Sequence, residues 1–368
     1  MITRFHGIDR HKKYSTVSVL DRDGRETRFL RSCQMEAYLD ELGPEDAVVM
    51  EASCGSFYWA DRVEATGATC YILDPMRFRI ITDSWNKTDR QDARNMAKAL
   101  WVFLVTGEFG IPTVSKPSET IRTLRRLFAS YNLLNRQIRM LKNTIQAMLT
   151  EDGVTVSSND RSRLFKGKES VAEILADRRL SEVIVDALQI QVDLLRTITE
   201  SKEQLGRRIV EASAPLDEQI RLLITIPGIT PLTASAFLAD VGDVHRFPSL
   251  RRMNAYLGLV PRCHDSGGKS RPGHITRESR KLSRTILTQS IYQTIKGTPG
   301  WERYYEDLKA RRGSGRARIA MIRRLCGIMR RMLLQGEQFH WLKEKLYRRK
   351  LVEYQKTLEE HKKERDAA

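Results

Sequence analysis

The chain has 368 residues, 41% hydrophobic and 30% charged, with 63 Lys+Arg against 46 Asp+Glu for a formal net charge of +17. That length supports two or three domains with real cores, and the apolar content excludes a disordered chain. The longest apolar run, around Ala99–Val105, is seven residues, and the start MITRFHGIDRHKK has no apolar core, which excludes a membrane span and a secretory signal and points to the cytoplasm.

Five scattered cysteines (Cys33, Cys54, Cys70, Cys263, Cys326) without a C-x-x-C pair argue for reduced thiols and against a zinc site. The charge is uneven. Residues 1–110 hold 15 Lys+Arg and 17 Asp+Glu, a net of −2, so the remainder carries +19. A surface that basic attracts polyanions, nucleic acid foremost, through phosphate contacts and counterion release.

In chain order, Ile2–Asp9 and Tyr14–Leu20 read as strands, and Asp21-Arg22-Asp23-Gly24 turns the second into a hairpin with Glu26–Arg31. A helix near Gln34–Leu42 precedes Asp46–Glu51, a short apolar run typical of a buried strand. Gly55–Thr66 reads as a helix, Ala68–Leu73 as a strand, and another helix opens near Thr88. The result is a mixed α/β sheet.

Past Pro112 the residues Leu124, Leu127, Tyr131, Leu134, Ile138, Leu141, Ile145 and Met148 form an unbroken heptad seam. Glu151–Asp160 reads as a loop, and Ser181–Ala212 carries a second, weaker seam. The two helices suit an antiparallel hairpin or pairing between subunits, with a dimer-forming arm the favoured expectation. From residue 216, Ile226-Pro227-Gly228-Ile229 lies between two helices, as in a helix–hairpin–helix element whose turned N–H groups face a DNA phosphate, or as in a plain αα-turn. The segment after Gly336 reads as a solvated helical tail. These signals divide the chain into 1–112, 113–215, 216–335 and 336–368.

Two places look chemical. Asp9 lies late in the first strand, Glu51 ends the buried fourth strand, and Asp89 and Asp92 share one helix face at i and i+3. A carboxylate ending a buried strand is costly unless paired or metal-bound. If the first and fourth strands are neighbours, the four carboxylates converge where two divalent ions roughly 4 Å apart would activate a nucleophile and a leaving oxygen. Mg²⁺ suits such oxygen ligands, with Mn²⁺ as the alternative. Taken alone, Asp89 and Asp92 behind a Thr88 N-cap are an ordinary acidic helix start; the joint pattern is the arrangement of a ribonuclease-H-like fold. The second place is the Gly-rich stretch Pro261–His274. Ser266 precedes two glycines amid Arg262, Lys269, Arg271 and His274, with Arg277, Arg280, Lys281 and Arg284 following. Cations there would let Ser266 attack a phosphodiester and would stabilise the phosphorane, or would merely grip phosphate. Ser270 is the rival nucleophile, and His264 and His274 assist or contact phosphate.

These motifs resemble the DEDD transposases of insertion sequences, the bridge-RNA-guided serine recombinases related to pilin-gene invertases. The matching residues are G-x-D at Gly7-Ile8-Asp9, E-A-x-G at Glu51–Gly55 and K-T-D-x-x-D-A at Lys87–Ala93. Further along are P-G-I-x-x-x-T-A at Pro227–Ala234, A-Y-x-G-L-V-P-R at Ala255–Arg262, S-G-G-K at Ser266–Lys269 and the arginine-rich Arg318–Leu325. The resemblance implies a RuvC-like first domain with Asp9, Glu51, Asp89 and Asp92 binding Mg²⁺, and Ser266 attacking DNA to form a covalent phosphoserine. It also implies a helical arm joining subunits into dimers or tetramers, and a non-coding bridge RNA pairing with target and donor DNA. Two departures stand out. Cys54 adds a residue before Gly55, and the tail is longer than the pattern needs. Outside the resemblance, the residues alone also suit a RuvC-like junction nuclease using metal-activated water, or a non-catalytic nucleic-acid scaffold. No ATP-binding P-loop motif occurs.

Overall fold

The computed structural model describes residues 1–82, 88–108, 110–178, 180–266, 269–275 and 279–366, with the backbone alone at 79–82, 262–266, 269–275, 361 and 363–366. The chain divides into two compact units, Met1–Lys116 and Pro117–Ala368.

The first unit is built on five strands: β1 (Arg4–Arg10), β2 (Ser15–Leu20), β3 (Glu26–Cys33), β4 (Asp46–Glu51) and β5 (Thr69–Leu73). Their order is β3-β2-β1-β4-β5, with β1 to β3 antiparallel and β1, β4 and β5 parallel. Side chains alternate across the sheet. Ile8, Val48, Met50 and Ile72 point to one face, where α1 (Met35–Leu39) and α2 (Ser56–Ala65) cover them. Phe5, Ala47, Val49 and Leu73 point to the other, under α3 (Pro75–Thr82) and α4 (Asp89–Trp101). The sequence pattern did not reveal α3.

Gly7 decides how closely α4 approaches. A Cβ at Gly7 would lie 2.0 Å from the Ala93 carbonyl oxygen and 2.4 Å from the Ala97 nitrogen, so the helix backbone rests directly on β1. Below the sheet, buried His6 joins β1 to its neighbours: Nδ1 meets the Tyr38 hydroxyl at 2.6 Å and Nε2 the Asp46 carboxylate at 2.9 Å. Asp46 also accepts from Arg4 and from the Gly43 N–H, and these bonds hold its pKa down against its burial.

The second unit is helical apart from one hairpin. Its long helices α5 (Glu119–Glu151) and α8 (Glu182–Ala212) run antiparallel within the chain, joined through α6 (Ser158–Lys166) and α7 (Val171–Ile174). Leu141, Ile145 and Leu149 pack on Leu188, Val192 and Leu195 at one end, while Leu124 and Phe128 share a cluster with Ile209 at the other. The seam residues Leu124, Leu141 and Ile145 thus pack within the chain, as an antiparallel helix pair does. The expected loop over Glu151–Asp160 is shorter, because Ser157 caps α6 by accepting from the Asp160 N–H.

Next come α9 (Asp217–Leu223), α10 (Pro231–Val241), α11 (Leu250–Tyr256), the strands β6 (Pro261–Ser266) and β7 (Lys269–Ile275), α12 (Leu282–Gly297), α13 (Trp301–Arg312), α14 (Ser314–Gln335) and α15 (Glu344–Asp366). Ile226–Ile229 turns inward. Thr294 Oγ1 donates to the Pro227 carbonyl at 2.7 Å, and a Cβ at Gly228 would strike α12 at 2.8 Å, so this turn between two helices is packed against α12.

The tail is neither frayed nor fully solvated. Lys350 of α15 is 7% exposed and donates to the carbonyls of Ile224, Ile226 and Ile229, the last two at 2.8 and 3.0 Å. Tyr354 is buried beside it, and burial with neighbouring Arg349 draws the Lys350 pKa down to about 8. The Arg318–Leu325 stretch lies in α14, where Arg318 stacks on Tyr292 and Arg324 on Trp301 and Tyr304, so these arginines serve packing.

Candidate active site

Two regular spacings bring the carboxylates together. From Gly7 to Asp9 is two residues of strand, about 6.6 Å, and from Ala93 back to Asp89 is four residues of helix, about 6 Å. Because Ala93 rests on Gly7, Asp9 and Asp89 arrive side by side. Glu51 follows from the parallel pairing: Ile8 sits opposite Met50, so Asp9 and Glu51 are each one residue further on neighbouring strands. Thr88 Oγ1 accepts the Gln91 N–H at 3.2 Å and fixes where α4 begins.

His11 occupies the meeting point. Its Nε2 lies 3.3 Å from Asp9 Oδ2 and 3.2 Å from Asp89 Oδ2. One ligand atom from each of Asp9, His11 and Asp89 falls within a 4.8 Å cluster able to hold a metal ion. Burial pushes the Asp9 pKa up; His11 opposes this, while Asp89 and Asp92 push it further up. Asp92 thus acts on the same point without touching His11. Crowded, partly desolvated carboxylates of this kind are relieved by a divalent cation, so the residues fit one. Sequence reasoning did not single out His11; its position two residues past Asp9 was the available signal.

Arg10 does not pair with Asp9. Its Nη2 reaches the Cys54 carbonyl and Ser53 Oγ, latching the segment after Glu51 to β1. This resolves the extra residue at Cys54: Gly55 takes a left-handed φ of +84° as the N-cap of α2. Glu51 itself is exposed at the end of β4.

In the second unit, Ser266 ends β6 opposite Lys269, and His264 pairs with Arg271. The expected Gly-rich loop is thus an antiparallel hairpin with Ser266 at its tip. Arg262 and His274 belong to the same strands, but the side chains of these hairpin residues lie outside the described residues, as does Arg277 altogether. Arg280 and Lys281 are exposed just before α12, whereas Arg284 donates to the Gly258 carbonyl at 3.1 Å. Among the described residues no helix is long and apolar enough to cross a membrane.

A mixed five-strand sheet with acidic positions, followed by a helical unit, is consistent with a ribonuclease-H-like DEDD domain and the helical part of a DNA transposase. Residues 6–152 match a DEDD transposase family and residues 220–306 the transposase IS116/IS110/IS902 family, together more than half of the chain. The chain belongs to this transposase family. It is 26% identical over 324 residues to a "Probable family 20 transposase" of Pseudomonas aeruginosa, covering 87% of this chain and 90% of the relative. It is also 26% identical over 342 residues to the "Transposase for insertion sequence element IS1111A" of Coxiella burnetii, covering 90% of each. A "Pilin gene-inverting protein" of Moraxella bovis is 36% identical over 78 residues, 20% of this chain and 24% of the relative.

Proposed function

We propose that this transposase cuts and rejoins DNA with Ser266 as nucleophile and Asp9, Glu51, Asp89 and Asp92 as holders of divalent cations, Mg²⁺ first. The convergence of Asp9 and Asp89 on His11, with Asp92 acting on Asp9, carries this reading. Bound there, a divalent cation supplies Lewis-acid stabilisation of phosphoryl oxygens.

The chain's own groups divide the remaining work. His11 Nε2 stands within ion-pair distance of both Asp9 and Asp89 and so ties the end of β1 to the start of α4. Ser266 Oγ forms a bond to phosphorus, the bond to one sugar oxygen breaks, and that oxygen leaves with a proton. A second sugar hydroxyl reverses the step on the new strand, so the phosphodiester energy is kept and no ATP is needed. The cations that the sequence puts around Ser266, Lys269 among them, would stabilise the developing charge.

The resemblance supports a bridge RNA that pairs with target and donor DNA, which would leave backbone and shape to the protein. It likewise supports a homo-oligomer, dimer or tetramer, as the working form. The test is a covalent protein–DNA adduct on Ser266: it should form in the wild type, vanish in Ser266→Ala, and require the four carboxylates. Cleavage retained by Ser266→Ala would leave a metal-dependent junction nuclease as the better description.

A further inference from the structure

Away from the carboxylates, three arginines from different elements converge on Tyr256, the tyrosine of the A-Y-x-G-L-V-P-R stretch. Arg125 of α5 donates from Nε to the Ala239 carbonyl at 2.7 Å and from Nη2 to the Asp240 carbonyl at 3.2 Å, with the Tyr256 hydroxyl 3.5 Å away. Arg246 lies over the rings of Phe247 and Tyr256, 4.2 and 4.4 Å from their centroids, and its Nε is fixed on the Val241 carbonyl at 2.9 Å. Arg280 donates its backbone N–H to the Tyr256 carbonyl at 3.1 Å.

Like charges gathered this way repel one another, and the cost needs an anion. The described residues provide it only in part, through the buried Asp240 carboxylate, which acts on both Arg125 and Arg280 from beyond ion-pair distance. None of the three arginines has a carboxylate within 4.0 Å among them, and Arg246 Nη2 is buried without a hydrogen-bond partner. Asp240 is close enough to act on Arg125, but it accepts the Ser283 N–H at 2.7 Å and burial pushes its pKa up. Burial alone would raise the Tyr256 phenol, yet Arg125, Arg280 and Arg246 bring it below its ordinary value. Burial, then Arg280, lowers Arg125. The group is electropositive, and Arg125 and Arg246 are held on backbone carbonyls before any ligand arrives.

We infer that Arg125, Arg246, Arg280 and Tyr256 form a phosphodiester-binding anchor that grips one phosphate of DNA beside the scissile one. Tyr256 lies ten residues before Ser266, at the end of the helix that leads into β6, and the strand from Pro261 to Ser266 alone spans about 17 Å. The anchor therefore holds flanking backbone and leaves the reacting phosphate to Ser266. Guanidiniums suit a phosphate through paired N–H donors, and the phenol adds a neutral one. This rests on the reading that the β6–β7 hairpin meets DNA.

The test is anisotropy of the full chain with an arbitrary 30-base-pair duplex across a salt series, because a backbone anchor needs no particular sequence. Loss of one phosphate contact lowers the slope of log K against log salt by about 0.9. Arg246→Gln/Arg280→Gln should show that drop while still melting cooperatively, and Arg246→Lys alone should keep the wild-type slope. Tyr256→Phe should weaken binding at every salt concentration without changing the slope. An unchanged slope in the double variant, or in Arg280→Gln alone should the double variant unfold, would overturn the anchor. So would a wild type that binds no duplex at low salt, or an Arg246→Lys as defective as Arg246→Gln. Absence of a Ser266 adduct, by contrast, defeats the serine mechanism and leaves the slope comparison to decide the anchor.

Discussion

Replacing Gly7 with alanine tests how the acidic site is assembled. The added Cβ would stand 2.0 Å from the Ala93 carbonyl oxygen, and that atom must retreat by about 1.4 Å to reach ordinary contact at 3.4 Å. The obstacle is helix backbone on one side and a central strand on the other, so no side chain can swing away. Overpacking of this kind costs about 1–3 kcal/mol. Asp89 and Asp92 ride on the helix that moves, and a misplacement of about 1 Å in a reacting array costs roughly a hundredfold in rate. Gly7→Ala should therefore lower the melting temperature and reduce strand exchange on a donor–target pair by about two orders of magnitude. The same melting loss produced by a core change on the opposite sheet face, such as Val63→Ala, should leave activity nearly intact. Wild-type activity in Gly7→Ala would refute the packing argument.

Two further outcomes follow from the electrostatics. The Asp9 pKa is raised in the fold, by burial and by Asp89 and Asp92, so its penalty is present above that pKa and fades as pH falls below it. Asp9→Asn should raise the metal-free melting temperature at neutral pH, lose that gain in acid, and abolish the stabilisation that Mg²⁺ gives the wild type; this is read by melting curves with and without Mg²⁺. Lys350→Met takes the lysine donor from three carbonyls, of which Ile226 still accepts the Ile229 N–H, and should destabilise the second unit by about 3 kcal/mol in denaturant titration.

The first domain was largely legible in the sequence because its signals are local: alternating strands, an Asp-Gly turn, and a Thr88 cap before paired aspartates. Asp9 and Glu51 were legible as costly carboxylates on strands, and the β1–β4 pairing makes them the next residues along neighbouring strands. His11 was not, since nothing local says that a residue past a strand's end will fold back between two carboxylates. The arm's seam was visible but its partner was not, because heptads are the same within and between chains. The tail misled for a different reason: its many Lys, Arg and Glu hide one lysine whose burial depends on three carbonyls over a hundred residues away. The three arginines around Tyr256 come from three separate stretches, which no spacing rule connects.

The most direct measurement is mass spectrometry of the protein after reaction with donor and target DNA in Mg²⁺, with the matching RNA supplied. The account predicts a nucleotide linked to the peptide containing Ser266, absent in Ser266→Ala and in Asp92→Asn. Cleaved DNA with no adduct on that peptide would contradict it.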